Sequence, residues 1–259
     1  MGPDDRPVHQ AGQVMPRGED TGTAGRKSPN QREKGGPMTP PECLLRMYEL
    51  YDKCAAEFAF ACRKGCATCC TQSVTMTTLE GELLNNYLID RPDLLPLLEA
   101  MPGHASAPPT TINQFAAACL LGEYVDEPQP AWDLAPCIFL QDNRCTVYPV
   151  RPFMCRSFGS RVRCDSSGTA EVEPFFLTLN TVFLQCIEHL DQGRSWGNMY
   201  AVLRSIQQSG QANAETIPGL RIAEQIQGFL IPPDETERIH DCLHSLLDLL
   251  RGVQGKREK

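Results

Sequence analysis

Four cysteines fall within nine residues, at Cys62, Cys66, Cys69 and Cys70. A second group follows at Cys137, Cys145 and Cys155. Thiolates bind soft and borderline metals, whereas calcium and magnesium take oxygen ligands. A structural zinc ion takes four such ligands at tetrahedral geometry, and a [4Fe–4S] cluster is commonly held by four thiolates. The spacing Cys66-x-x-Cys69 lets one loop supply two ligands, and the distant segment supplies the others. Cys69 and Cys70 are adjacent, and neighbouring side chains diverge in most backbone conformations. Both are not expected on one mononuclear ion, so one serves a second metal or stays free. These seven thiols with Cys186 as an eighth are the candidate ligand set, and Cys164 competes with Cys186 for the last place. Eight thiolates hold two four-coordinate sites, or one site beside several non-ligands.

The other cysteines read differently. Cys43, Cys54, Cys119 and Cys242 stand singly within helical patterns, and there a free cysteine behaves as a small buried hydrophobe. His240 and His244 share a helical face at i, i+4, and without a neighbouring carboxylate motif they read as a solvated face. Arg151 and Arg156 flank Cys155, where guanidinium groups would either donate to ligand sulfur or sit in surface ion pairs.

The elements that must position these residues are mostly helices. Thr39-Pro40-Pro41-Glu42 is a capping box with proline in the first turn. The helix it opens carries an apolar stripe of Leu44, Met47, Tyr48, Tyr51, Ala55 and Phe58, and Gly65 is expected to stop it. On this reading the first cysteine cluster sits on the helix end and the loop leaving it. Thr77-Thr78-Leu79-Glu80 is a second capping box, with its helix reaching about Asp90. A short helix follows Pro92, stopped by Pro102-Gly103, and another spans Thr111 to Leu121. Loops are expected at 104–110 and 123–136, with Trp132 packed back. Ile138-Phe139-Leu140 and Thr146-Val147-Tyr148 flank Asp142-Asn143-Arg144 as a small hairpin, which would hold Cys137 and Cys145 on adjacent strands. A second, weaker hairpin is expected over 161–172. Beyond Pro174 the pattern predicts helices at roughly 175–191, 196–209, 217–229 and 235–252. The fold class that results is mainly α, with helices packed around a small β-hairpin and a cysteine-ligated metal site.

Composition sets the wider limits. The chain has 259 residues, 41% of them apolar, and a net charge of −8. That charge argues against a nucleic-acid binder and against a polybasic membrane-surface protein. No apolar run approaches the ~18 residues of a spanning helix, and the N-terminus lacks a signal-peptide core. A cytoplasmic protein is the expectation, and the clustered ones among its 13 cysteines then read as metal ligands or redox groups rather than a disulfide framework. Residues 1–38 hold seven glycines and five prolines and are expected to be disordered. Met38 is an alternative start. The domain reading is a tail over 1–38 and a single domain over 39–253, its signature at 58–160 and its C-terminal helices at 174–253.

Both cysteine stretches together resemble one family. Lys64-Gly65-Cys66-x-x-Cys69-Cys70, then Cys137-x-Phe139-Leu140, then Cys145-x-x-Tyr148-x-x-Arg151-Pro152-x-x-Cys155-Arg156 is similar to the YkgJ-type cysteine-cluster family, written CxxCxxCC. Asn143-Arg144 stands where a glycine often precedes the cysteine in that family. The resemblance implies chelation of zinc or iron, the latter including an iron–sulfur ([4Fe–4S]) cluster. The family also includes flagellin lysine N-methylases. It therefore implies two alternatives to a plain metal binder: an iron–sulfur-dependent protein lysine methylase, which would use S-adenosylmethionine and a protein substrate, and a zinc-stapled module that binds a protein partner. No glycine-rich strand–turn–helix for S-adenosylmethionine is present in the sequence. Cys62-x3-Cys66-x2-Cys69 is also similar to the three-cysteine motif of radical S-adenosylmethionine enzymes. Thr68 replaces the usual aromatic residue there, and the chain lacks the expected β/α alternation.

Overall fold

The computed structural model describes residues 38–63, 65–101, 108–123, 134–164, 168–209 and 217–254. The expected tail and the Met1 or Met38 question, much of the loops at 104–110 and 123–136, and Trp132 lie outside the described residues. The described residues fall in one compact unit spanning 36–259.

Helix α1 is Pro40–Cys54. Its prolines forgo N–H groups that have no acceptor within the first turn. Glu42 Oε2 accepts from Thr39 N and from Thr39 Oγ1, each at 2.8 Å, so the expected cap forms. Cys43, Leu44, Met47, Tyr48 and Tyr51 make its buried face. Helices α2 (Thr78–Ile89), α3 (Leu95–Glu99), α4 (Ile112–Leu120), α5 (Phe153–Arg156), α6 (Pro174–Leu190), α7 (Met199–Ser209) and α8 (Thr236–Gln254) follow. Two cores result. In the first, α1, α6 and α8 pack together around Phe183 and Phe153. In the second, α2 and α7 pack on a small sheet around Leu84, Phe139 and Tyr200.

The strands are β1 (Thr75–Thr77), β2 (Leu140–Gln141), β3 (Arg144–Cys145), β4 (Ser195–Asn198) and β5 (Leu220–Ile222). β2 and β3 form the hairpin, and β1-β4-β5 form an antiparallel sheet that the sequence pattern did not reveal. This sheet corrects two expected helices. The helix expected from 196 begins only at Met199, because the preceding residues are β4. At Gly197 a Cβ would lie 2.3 Å from the carbonyl oxygen of Gly219, so only glycine allows β4 and β5 to approach this closely. The expected helix over 217–229 is β5 followed by irregular chain. Side chains of α6 supply what helical hydrogen bonds would have supplied. Glu188 Oε1 accepts Glu224 N at 2.7 Å, Gln185 Nε2 donates to Gly228 O at 2.8 Å, and Gln185 Oε1 accepts Leu230 N at 3.2 Å.

Three single cysteines also depart from the expected small-hydrophobe role. Cys54 and Cys242 form a disulfide that joins α1 to α8 across a sequence separation of 188. Cys119 is exposed, whereas Cys43 is buried as expected. Among the described residues, no helix is long and apolar enough to cross a membrane.

Candidate metal centre

The first cysteine cluster lies entirely on a loop. α1 ends at Cys54, a 3-10 turn covers Ala55–Glu57, and irregular chain begins at Phe58. Gly65 therefore does not stop the helix. With φ +88° it turns the loop that carries Cys62 and Cys66. Local bonds shape that loop: Cys66 N donates to Arg63 O and Cys70 N to Ala67 O, both at 2.9 Å. Cys137 N donates to Cys70 O at 2.9 Å, and Gln72 N to Ala135 O at 3.0 Å. The two cysteine stretches thus meet backbone to backbone, as their spacing suggested.

The hairpin is tighter than expected. Leu140 pairs with Cys145 and Gln141 with Arg144 around the two-residue turn Asp142-Asn143. Both turn residues have positive φ, 49° and 57°, which asparagine and aspartate tolerate better than most. Phe139 is fully buried and anchors the hairpin in the second core. After Pro152 comes α5, which carries Cys155. Thr75 N and Thr75 Oγ1 donate to Met154 Sδ at 3.2 and 3.3 Å, tying α5 to β1. Tyr200 is buried on α7. Its hydroxyl accepts Ile138 N at 3.2 Å and donates to Cys137 Sγ at 3.5 Å.

The thiols divide into two neighbourhoods. Cys70, Cys137, Cys145 and Cys155 form the inner one. Burial raises the Cys155 thiol well above the ordinary range, and negative charge at Cys137 or Cys145 would raise it further. Burial likewise raises Cys137 and Cys145, with Cys137 adding to the effect on Cys145. Cys70 is raised by its hydrogen bond with Cys69, then by burial, then by the charges of Cys69, Cys155 and Cys145. The outer neighbourhood is Cys62, Cys66, Cys69 and Cys164. The Cys62 thiol is raised by burial first, then by the charges of Cys66, Cys69 and Cys164. Cys69 is pulled down as the acceptor of its shared proton with Cys70. The adjacent pair, hydrogen-bonded thiol to thiol, lies between the two neighbourhoods.

Residues 61–173 match the CxxCxxCC family. Its description reads "putative zinc- or iron-chelating domain". No curated protein and no solved structure matches the chain. The CxxCxxCC match takes in both neighbourhoods and ends just before α6.

Among the described residues, no group of three or more His, Cys, Asp or Glu side chains stands in metal-holding geometry. The donor set still suits a thiophilic cation. Packed thiols that raise one another's pKa cannot ionise together unless positive charge enters between them. Arg151 supports the same conclusion. Its Nε and Nη1 are buried with no hydrogen-bond partner, and its charge favours thiolate at Cys145 and Cys155. Buried guanidinium nitrogens without acceptors are costly, and thiolate sulfur is the acceptor chemistry this corner of the fold can offer. Arg156 plays a different part. It stacks on Tyr48 at 4.1 Å and binds the carbonyls of Arg151 and Pro149, so it braces the turn before α5.

Cys186 stands apart from the other expected ligands. It is fully buried on α6 in the first core, where the neighbouring thiol is Cys43. Cys164 is the thiol that joins Cys62 instead. His240 and His244 are exposed on α8, with Nδ1 atoms facing Asp241 and Asp248.

Proposed function

We propose that this chain is a metal-chelating protein whose inner site uses Cys70, Cys137, Cys145 and Cys155 to hold zinc or iron. One observation carries the reading: four mutually interacting thiols from three separate segments share a corner with two partnerless guanidinium nitrogens of Arg151. The match to a zinc- or iron-chelating family over these residues supports it. When bound, the metal neutralises the thiolates and ties the loop, the hairpin and α5 into one unit.

The test is metal and acid-labile sulfide content, with a visible spectrum, on protein purified without oxygen. Stoichiometric zinc without sulfide assigns a mononuclear thiolate site, and iron with equal sulfide and visible sulfur-to-iron bands assigns a cluster. Cys155→Ser and Cys145→Ser are each expected to lose this metal, whereas Cys43→Ser keeps it. Full metal content in both Cys155→Ser and Cys145→Ser would overturn the ligand assignment.

A further inference from the structure

The outer thiols have surroundings unlike those of the inner four. Cys62 and Cys69 are exposed, and Cys66 and Cys164 are half-buried. A cavity of about 170 Å³ opens beside them, lined by Cys62, Cys66 and Cys164 together with Arg63, Arg163 and Val162. The scaffold around it is light. Ala61 N donates to Ser160 O at 2.8 Å, so the residues just before Cys62 and those just before Cys164 meet backbone to backbone. The inner thiols are instead held by a hairpin, a capped helix and the Tyr200 hydroxyl.

We infer that Cys62, Cys66, Cys69 and Cys164 form a second metal site, and that this open site exchanges its ion with soluble thiols or chelators while the inner site retains its own. The inference rests on the chelation reading above and adds a division of labour to it. Ligand exchange at a thiolate site needs an incoming donor to reach the metal, and the cavity gives one room beside Cys62, Cys66 and Cys164. Cys69 and Cys70 are hydrogen-bonded neighbours between the two groups, so parting that bond frees one thiol for each of two tetrathiolate sites side by side. Loading is balanced by proton release: four thiols give up four protons to solvent as one divalent ion binds. Departure of that ion to a soluble thiol returns the protons to the cysteines.

The experiment uses the full chain reconstituted anaerobically with zinc alone and challenged with a chromogenic chelator. Two zinc ions per chain are expected, released in two phases that differ at least about tenfold in rate. Cys62→Ser and Cys164→Ser remove the fast phase and leave the slow one, and Cys145→Ser removes the slow one. Alkylation followed by mass spectrometry on the unaltered chain reports the same division without substitutions: Cys62, Cys66, Cys69 and Cys164 label first as zinc leaves. Only one zinc in the unaltered chain, with the same stoichiometry and single phase in Cys164→Ser, would overturn the second site and leave the inner one standing. Labelling that starts at Cys145 or Cys155 would overturn the exchange order. No zinc bound at all would overturn both readings.

Discussion

The Glu80 carboxylate accepts the backbone N–H of Phe153 at 2.7 Å, although the two residues lie 73 positions apart. The same Oε1 accepts the Tyr48 hydroxyl at 2.9 Å, and Oε2 accepts Thr77 N at 2.9 Å. A capping residue of α2 thereby also caps α5, the helix that carries Cys155, and ties both to α1. Glu80 is only 3% exposed, so the loss of its oxygens cannot be made good by water.

Glu80→Ala is therefore expected to cost about 3 kcal/mol, because the donors of Tyr48, Thr77 and Phe153 are left without acceptors. A urea titration should show a lower midpoint at unchanged slope. Metal occupancy at the inner site should fall with it, since α5 loses its cap. An unchanged midpoint would mean that the three-way junction does not hold the fold.

Arg151→Met separates metal holding from folding. The metal-free protein should change by less than about 1 kcal/mol, since two partnerless nitrogens are removed and the stacking on Tyr148 at 3.6 Å is lost. Metal affinity should fall by about 10–100-fold, as for loss of a group supporting a ligand. Competition against a chelator of known affinity measures the second quantity and chemical denaturation the first. Equal affinity in the variant would place Arg151 outside the site.

Asp191 gives a pH dependence of defined sign. Burial raises its carboxyl from the usual range to about 7, against the opposing pull of Arg194 and of the Leu79 N–H that it accepts at 2.8 Å. Between the ordinary value of 3.8 and about 7 the folded state holds a proton that the unfolded state has released. Its contribution is fully present below 3.8 and is lost as pH rises through 7, with a slope of up to ~1.4 kcal/mol per pH unit. Asp191→Asn should flatten that part of a plot of melting temperature against pH between 5 and 8. A curve identical to that of the unaltered chain would show that Asp191 titrates normally.

The Cys54–Cys242 disulfide closes most of the chain into a loop, and removing it as the Cys54→Ala/Cys242→Ala pair should cost about 2–5 kcal/mol. A mild reductant should lower the melting temperature of the unaltered chain and leave that of the double variant where it is. A reductant effect of equal size in both would assign the sensitivity to other thiols.

The residues that announce themselves locally were legible in the sequence. The caps at Thr39–Glu42 and Thr77–Glu80 depend on neighbours three residues apart, and the helices they open begin where the pattern places them. The meeting of the two cysteine stretches was legible too, because chemistry demands ligands from both. What escaped depends on distant partners. Ser195-Trp196-Gly197-Asn198 lacks β-branched residues and earns its place as the central strand by pairing with Thr75–Thr77 on one side and Leu220–Ile222 on the other. The segment after β5 has apolar spacing like a helix, but buried Gln185 and Glu188 claim its backbone. Cys54 and Cys242 look like ordinary core positions on their separate helices, and only the packing of α1 on α8 brings them together. The places of Cys164, beside Cys62 and Cys66, and of Cys186, in the first core, depend on the same kind of information.

The long reach of the β1–β4 pairing sets an order of events during synthesis. Thr78 Oγ1, next to β1, donates to Ser195 O, 117 residues later, so the sheet beneath the site stays unpaired until most of the chain has been made. At about 5–20 residues per second, the thiols of Cys62 to Cys70 wait on the order of 3–13 s on the ribosome before Cys137 is added. During that interval four clustered thiols have no second segment to close over them. Cross-linking among them in that interval would compete with closure over the second segment.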